Sequence, residues 1–210
     1  VYNGERYLRE AMDSILNQTF RDFEFIIIDD ASTDGTAGIL QGYDDPRIVL
    51  LTNANNIGLT ESLNRGLGSA HGKYIARMDA DDISLLKRLE KQVAYLDAHP
   101  EVGLLWTWAE MIDDKGAKLS TLCLPTDTLN IKWFLLFGSC IVHSTAMFRL
   151  ALARRLGGYG PFRYAQDRDL WLRMSQEAEA VQLPEVLLQC RLHTDAISIQ
   201  LRDQQWGVST

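Results

Sequence analysis

Asp79-Ala80-Asp81, with Asp82 directly after, concentrates negative charge in one short stretch of this chain. The residues before it, Lys73-Tyr74-Ile75-Ala76-Arg77-Met78, read as a strand. Carboxylates this close repel one another, so the cluster calls for a compensating cation. An Asp-x-Asp at the carboxyl end of a parallel strand lies where open α/β sheets bind their ligands. Hard oxygen donors suit Mg²⁺ or Mn²⁺, ions that commonly bridge to substrate phosphates. The chemistry implied is capture of a nucleoside diphosphate. An acidic pair by itself is more often a solvated loop. The crowding of Arg77, Asp79, Asp81 and Asp82 at one strand end is what a metal–diphosphate site requires and a solvated turn does not.

Other positions carry chemistry with a plainer reading beside it. Asp29-Asp30 ends a second apolar run, where an aspartate can accept from the N–H of a base edge or cap the following helix. The Tyr2 ring can stack on a base or simply pack. Asp167, in Gln166-Asp167-Arg168-Asp169-Leu170-Trp171, follows the glycine-rich 157–161 loop at a helix start. There the dipole favours an ionised carboxylate, either as a base or as an ordinary first-turn residue. His143 and His193 are each either cleft residues or hydrogen-bonded structural histidines.

The elements that must hold these residues alternate. Glu5 to Gln18 has helical spacing of Leu8, Ala11, Met12, Ile15 and Leu16. Phe23 to Ile28 reads as a strand buried on both faces, 31–36 as a polar turn, and a short helix reaches Tyr43. Arg47 to Leu51 is the next strand, Leu59 to Ala70 a helix, and Leu85 to His99 a helix burying Leu85, Leu89, Val93 and Leu96. This is the pattern of βαβ units. Val102 to Ile112 and Ala117 to Leu122 form an antiparallel pair about an Asp-Asp-Lys-Gly turn. Thr126 to Phe137 and Asp167 to Ala178 are helices, the latter with Leu170 and Trp171 facing the core, and Val186 to Leu192 is a last strand. The fold class expected is α/β, a Rossmann-like, mainly parallel sheet flanked by helices with a small antiparallel sheet. We read one domain over 1–210, a nucleotide-binding half (1–100) followed by an acceptor half (101–210).

The chain has 210 residues and a formal net charge of −7, with scattered Lys and Arg, which disfavours nucleic acid as a partner. Cys123, Cys140 and Cys190 have no metal-knuckle spacing and suit a reduced, cytoplasmic setting. The most apolar stretch, Ile131 to Val142, is too short to cross a bilayer and contains Lys132. The 132–137 stretch fits either core burial or contact with a membrane surface. The chain opens on Val1-Tyr2-Asn3-Gly4 as though within a first strand, so upstream signals stay open.

Taken in order, these segments resemble the inverting, nucleotide-sugar-dependent glycosyltransferases of family 2, which have the GT-A fold. The resemblance is carried by Val1–Glu5 with Ser14–Phe20, Phe25–Thr36, Asn55–Leu59 with Asn64-Arg65-Gly66, Tyr74–Asp82 with Arg88–Gln92, His143–Arg149 and Gln166–Arg173. It implies transfer of a sugar to an acceptor hydroxyl in bacterial cell-surface polysaccharide or glycan synthesis. Tyr2, Asp30, Asn56, Arg77 and Asp79 would bind the donor, Asp81, Asp79 and His193 the Mn²⁺ or Mg²⁺ ion, and Asp167 would be the catalytic base. It implies a UDP-sugar donor, a glycan or lipid-linked acceptor, and a cytoplasmic place, peripheral at the inner membrane face if the 132–137 stretch touches lipid. The family has Glu-Asp where this chain has Gln166-Asp167; losing that negative neighbour makes Asp167 easier to ionise and a weaker base. The alternatives are a sugar nucleotidyltransferase, disfavoured because residues 2–9 offer no glycine-rich basic loop, and a nucleotide-sugar-binding domain with impaired turnover.

Overall fold

Helical spacing in the first residues produces α1 (Leu8–Leu16), which buries Leu8, Ala11, Met12 and Ile15. It starts later than the sequence pattern because Tyr7 and Leu8 both donate their amides to Gly4 O. The computed structural model describes residues 1–124, 126, 128–137, 141–162 and 165–193. β1 (Phe25–Asp29) pairs in parallel with β2 (Ile48–Thr52), with α2 (Thr36–Gln41) between them. Val1 extends this ladder, its N donating to Ile28 O at 2.7 Å and its carbonyl accepting from Asp30 N at 2.9 Å.

α3 (Leu59–Ser69) leads to β3 (Tyr74–Ala76), and β4 (Ile83–Ser84) precedes α4 (Arg88–Ala98). The long β5 (Val102–Ile112) turns back through β6 (Lys118–Leu122), the antiparallel pair read from the sequence. Then come α5 (Thr128–Phe137), a 3₁₀ turn (His143–Thr145), β7 (Met147–Arg149), α6 (Leu150–Arg155), α7 (Gln166–Glu177) and β8 (Glu179–Arg191). The larger sheet runs β3-β7-β5-β8-β4, with β6 on β5. The β5–β8 ladder is parallel, whereas β3–β7, β7–β5 and β8–β4 are antiparallel.

The α/β class stands, with helices against a mixed sheet, and three expectations change in detail. The strand before Asp79 pairs antiparallel with β7 and keeps only three residues in register. β1 is not buried on both faces: Ile26 and Ile28 line a cavity of about 650 Å³ that Tyr74 and Ile75 of β3 also line. The last strand begins at Glu179, not Val186. Pro184, which lacks an amide for the ladder, lies where the register jumps, Thr107 facing Leu183 and Trp108 facing Val186.

The main core joins both sheet and helices. Trp171 of α7 meets Phe148 of β7 with ring centroids 5.3 Å apart, and Trp106 of β5 edge-on at 6.1 Å. Leu170 and Trp171 are buried, as their helical placement implied. Leu89 and Leu96 of α4 are buried too, while Leu85 precedes the helix. In α5 the apolar stretch divides: Ile131 and Leu135 are buried, Trp133 and Leu136 exposed. Cys140 lies outside the described residues; Cys123 and Cys190 are free thiols. Among the described residues no helix is long and apolar enough to cross a membrane.

Phe148→Ala should lower unfolding free energy by about 3–5 kcal/mol in urea titrations, because a fully buried ring leaves a cavity behind. Leu119→Ala, at an exposed position of β6, should stay within about 0.5 kcal/mol.

Candidate functional site

The acidic segment is held at both ends. At its start, Arg77 N donates to Ala146 O and Asp79 N to Ser144 Oγ. At its end, Ser84 N donates to Ser14 Oγ, Leu85 N to Leu187 O, and the buried Gln18 amide to Leu85 O, while Gln18 Oε1 accepts from Leu89 N. Arg88, fully buried, donates to Arg77 O at 2.7 Å and to Gln92 Oε1 at 3.0 Å. Thus α1, α4, β8 and the 3₁₀ turn all fix the loop that carries the carboxylates.

Asp79, Asp81 and Asp82 each bring an oxygen within 4.8 Å of the others. Their environments differ. Burial disfavours the charge on Asp79, but the buried Arg77 guanidinium outweighs it and holds the carboxyl at about 2. The side chain of Asp79 stays 44% exposed, so solvent screens that pairing; its direction is set by Arg77, which has nowhere else to place its charge. Asp81 is pushed up by burial and by the charge of Asp79, partly offset by His193 Nε2, 2.8 Å from Asp81 Oδ2. Asp82 is buried and rises to about 7, from burial first and then from both neighbouring carboxylates.

Arg191 is the hub that the sequence reading missed. Its guanidinium, buried, donates to Asp81 O at 3.0 Å, to Asp113 O at 3.2 Å and to Glu10 Oε2 at 2.6 Å, and lies over the Tyr7 ring at 4.6 Å. Its backbone N donates to Asp82 Oδ1 at 2.9 Å. β8 therefore delivers, two residues apart, a clamp for the acidic loop and the His193 ring that touches Asp81. The only sequence signal was the segment Cys190–His193 itself, where the histidine is the residue with recognisable ligand chemistry.

The donor set fits a hard divalent cation. Three carboxylate oxygens converge, two of the carboxyls are raised by burial first and by their neighbours' charge second, and His193 Nδ1 is buried without a partner among the described residues. His193 meets the cluster through Asp81.

Asp167 lies in the first turn of α7, after Ala165 with φ of 59°. Its Oδ1 accepts from Arg168 N at 2.8 Å. Burial raises its carboxyl above the ordinary range, against the downward pull expected from Gln166. Arg77 and Asp79 both act on it electrostatically, so the start of α7 and the acidic loop face one region. Tyr159 joins them: Asp167 and Asp79 add to the burial that raises its hydroxyl, and its OH lies 3.0 Å from His143 Nε2. His143 is half-buried and edge-on to Trp171, and burial holds its imidazole well below the usual range.

The nucleoside-side residues divide differently from expectation. Asp30 does not cap the next helix; that turn is made by Asp29, which accepts from Ser32 N, and by Asp34, which accepts from Thr36 N. Asp30 is buried and its carboxylate accepts from Asn53 Nδ2 at 2.7 Å, Ile57 N at 2.9 Å and Gly58 N at 2.9 Å. Gly58, with φ of 88°, takes a backbone conformation that suits glycine. Asp30 thus shapes the loop that carries Asn56, whose side chain is exposed, as is Tyr2.

Burial pushes the Asp30 carboxyl up, but the bonds from Ile57, Asn53 and Gly58 outweigh it and hold it below its ordinary value. A lowered folded pKa gives stability that is present above the unfolded value of about 3.9 and lost as pH falls through the folded one. Asp30→Asn should cost about 1–3 kcal/mol at pH 7. In acid denaturation series the gap from the parent should close below about pH 3–4; a gap constant down to pH 2 would contradict this.

Comparison with known proteins agrees with this architecture. The sequence profile described as Glycosyl transferase family 2 matches residues 1–157. EpsE of Bacillus subtilis (strain 168) is 38% identical over 205 residues, covering 93% of this chain and 72% of EpsE. The O-antigen biosynthesis glycosyltransferase WbnJ of Escherichia coli is 34% identical over 200 residues, covering 92% and 77%. Among solved structures, S. aureus TarS 1-349 with UDP-GlcNAc superposes with a TM-score of 0.76 at 22% identity, over 92% of this chain and 57% of that one. The mannosyltransferase PcManGT from Pyrobaculum calidifontis, in complex with GDP-Man and Mn2+, gives a TM-score of 0.70 at 21% identity, over 96% and 57%. The chain therefore spans little more than half the length of these structural neighbours, whose likeness shows the shared GT-A fold. On the profile match and the identity to EpsE and WbnJ, the chain belongs to glycosyl transferase family 2.

Proposed function

We propose that the chain transfers a sugar, with inversion, from a nucleoside-diphosphate sugar to an acceptor hydroxyl in the synthesis of a bacterial surface polysaccharide. What supports this is the tight carboxylate cluster of Asp79, Asp81 and Asp82, together with the half-buried Asp167, whose carboxyl feels the charges of both Arg77 and Asp79. The nucleotides in TarS and PcManGT support a nucleotide-sugar donor, and the biosynthetic name of WbnJ supports the polysaccharide setting. A UDP-sugar is the donor we favour, and a glycan or lipid-linked molecule the acceptor.

In this reading Asp81 and Asp79 hold a divalent cation, with His193 orienting Asp81. A bound Mn²⁺ or Mg²⁺ supplies Lewis-acid neutralisation of the diphosphate leaving group. Arg77 fixes Asp79 and adds positive charge behind it. Tyr2, Asp30 and Asn56 would bind the nucleoside side of the donor, with Asp30 also ordering the loop that carries Asn56. Asp167 takes the proton from the acceptor hydroxyl as that oxygen attacks the anomeric carbon from the face opposite the leaving group. Its raised carboxyl brings its basicity closer to the working pH, which general-base catalysis favours. The exposed Trp133 and Leu136 of α5 and Phe162 of the loop before α7 offer apolar surface on the acceptor half.

Asp167→Asn should lower the transfer rate about 10²–10⁴-fold while leaving donor affinity within a factor of about three. Radiolabelled transfer beside titration calorimetry reads both, and normal turnover in this variant would remove Asp167 from the role. In the parent, the rate should fall toward acid through a value above the ordinary carboxyl range of about 4.

Asp81→Ala should abolish the gain in UDP or GDP affinity that Mn²⁺ gives the parent. Unchanged titration heats would contradict the cation site. A chain that binds donor and metal yet releases no nucleoside diphosphate would be a binding domain and not a transferase.

A further inference from the structure

Ser144 sits in the middle of the 3₁₀ turn and is fully buried. Its hydroxyl makes three bonds. It accepts from Arg77 Nη1 at 3.0 Å and from Asp79 N at 3.0 Å, and it donates to Asp79 Oδ2 at 2.9 Å. A serine hydroxyl has one proton and two lone pairs. Both other partners are N–H donors and fill the lone pairs, so the proton goes to a carboxylate: Asp79 Oδ2 at 2.9 Å, with Asp82 also drawing on the hydroxyl.

The bond that Arg77 makes to Asp79 ends on the same oxygen, Oδ2. Oδ2 is therefore tied on two sides by buried groups, and Oδ1 lies outside this ring of bonds. The backbone of Asp79 is fixed by the same hydroxyl. A carboxylate on a three-residue strand end would otherwise rotate about two side-chain torsions, and each rotamer would carry its oxygens to a different place. A cation site tolerates little such freedom, because its ligands must stand at set distances with their charge already aligned.

We infer that Ser144 is the positioning residue of the acidic cluster: its hydroxyl locks Asp79 with Oδ2 turned to Arg77 and leaves Oδ1 as the oxygen offered to a divalent cation. This rests on the cation site proposed above. Ser144 does not touch the cation. It acts through Asp79, and it lies 65 residues from Asp79 in sequence, on the acceptor half of the chain. The same turn carries His143 against Tyr159 and Trp171, so the order of the cation site depends on the packing of α7.

The test is Mn²⁺ binding to the whole chain without nucleotide, read as free Mn²⁺ by electron paramagnetic resonance, beside thermal unfolding. The parent should bind Mn²⁺, and Asp81→Ala should remove that binding. Ser144→Ala should raise the half-saturating Mn²⁺ concentration at least about tenfold, and Ser144→Thr, which keeps the hydroxyl, should restore it to within about threefold. Should the alanine variant fail to fold, Ser144→Cys, close in volume and a poor donor, is read in its place. Parental Mn²⁺ affinity in the variant lacking the hydroxyl would overturn the role of Ser144 and leave the cation site standing. Affinity as weak in Ser144→Thr as in Ser144→Ala would overturn it too, marking the site as one that needs serine only for its fit. No binding by the parent, or binding that survives Asp81→Ala, would overturn the cation site itself, and this inference with it.

Discussion

Three carboxylates forced within 4.8 Å of one another are the constraint around which this structure is arranged. At an effective dielectric of 20, two unit charges at that separation repel by about 3.5 kcal/mol. The chain answers with buried guanidinium groups placed behind the cluster and not among the carboxylates. Arg77 pairs with Asp79, Arg191 holds the backbone carbonyl of Asp81, and Arg88 grips the carbonyl of Arg77. Much of this positive charge is tethered to main-chain oxygens, so it shapes the loop while leaving carboxylate oxygens available. The compensation is partial. Asp82 stays raised to about 7 and Asp81 is raised as well, which leaves the front of the cluster short of positive charge. The donor set of such a cluster fits a hard divalent cation.

That arrangement explains why segments far apart in sequence must pack together. Arg191 reaches back from the end of β8 to Glu10 of α1, and Gln18 at the end of α1 reaches forward to the start of α4. Arg149, from β7, donates to Leu96 O and His99 O and so caps the carbonyl end of α4. Each is a buried or half-buried polar side chain that meets groups the local secondary structure leaves over: a carboxylate for Arg191, a carbonyl and an amide for Gln18, and two carbonyls for Arg149. The packing of Trp171 on Phe148 and Trp106 then fixes α7, and with it Asp167, relative to β7 and the 3₁₀ turn. Core and site share elements, and a loosened core would first be felt as a misplaced carboxylate.

What the sequence made legible was what has local periodicity or a local motif. α1 and α7 show apolar spacing over several turns, and the run ending at Asp29 announces a strand. The acidic cluster is contiguous, so its residues could be read together; its partners could not. Ser144 lies 65 residues from Asp79, and Arg191 lies 110 from Asp81. Serine-to-carboxylate and arginine-to-carbonyl bonds across such gaps leave no pattern in either stretch. β4 and β7, at two and three residues, are too short for alternation to show. Pro184 lies within β8, where a proline interrupts the strand pattern, and only the fold shows the ladder stepping around it. The role of Asp30 in ordering a distant loop was out of reach for a related reason. Its type and position fit a cap or a base contact, and the amides that occupy it come from a loop 27 and 28 residues away.

The same logic bears on Gln166, the position where a second acid would accompany Asp167. Gln166 is buried at the start of α7. An ionised glutamate there would need a partner of its own, because an unpaired buried charge is costly. The cations of α7 are already engaged: Arg168 is bonded to the carbonyls of Leu135 and Leu136, and Arg173 to Asp169 and to the carbonyls of Leu156 and Gly158. Glutamine avoids that penalty and forfeits the electrostatic push that a neighbouring carboxylate would give Asp167. Burial supplies a push in the same direction, raising Asp167 without a second charge. A neutral Gln166 is thus compatible with a working base, provided the start of α7 stays dry. Dryness there depends on the packing of Tyr159 and Trp171, and hence on the core.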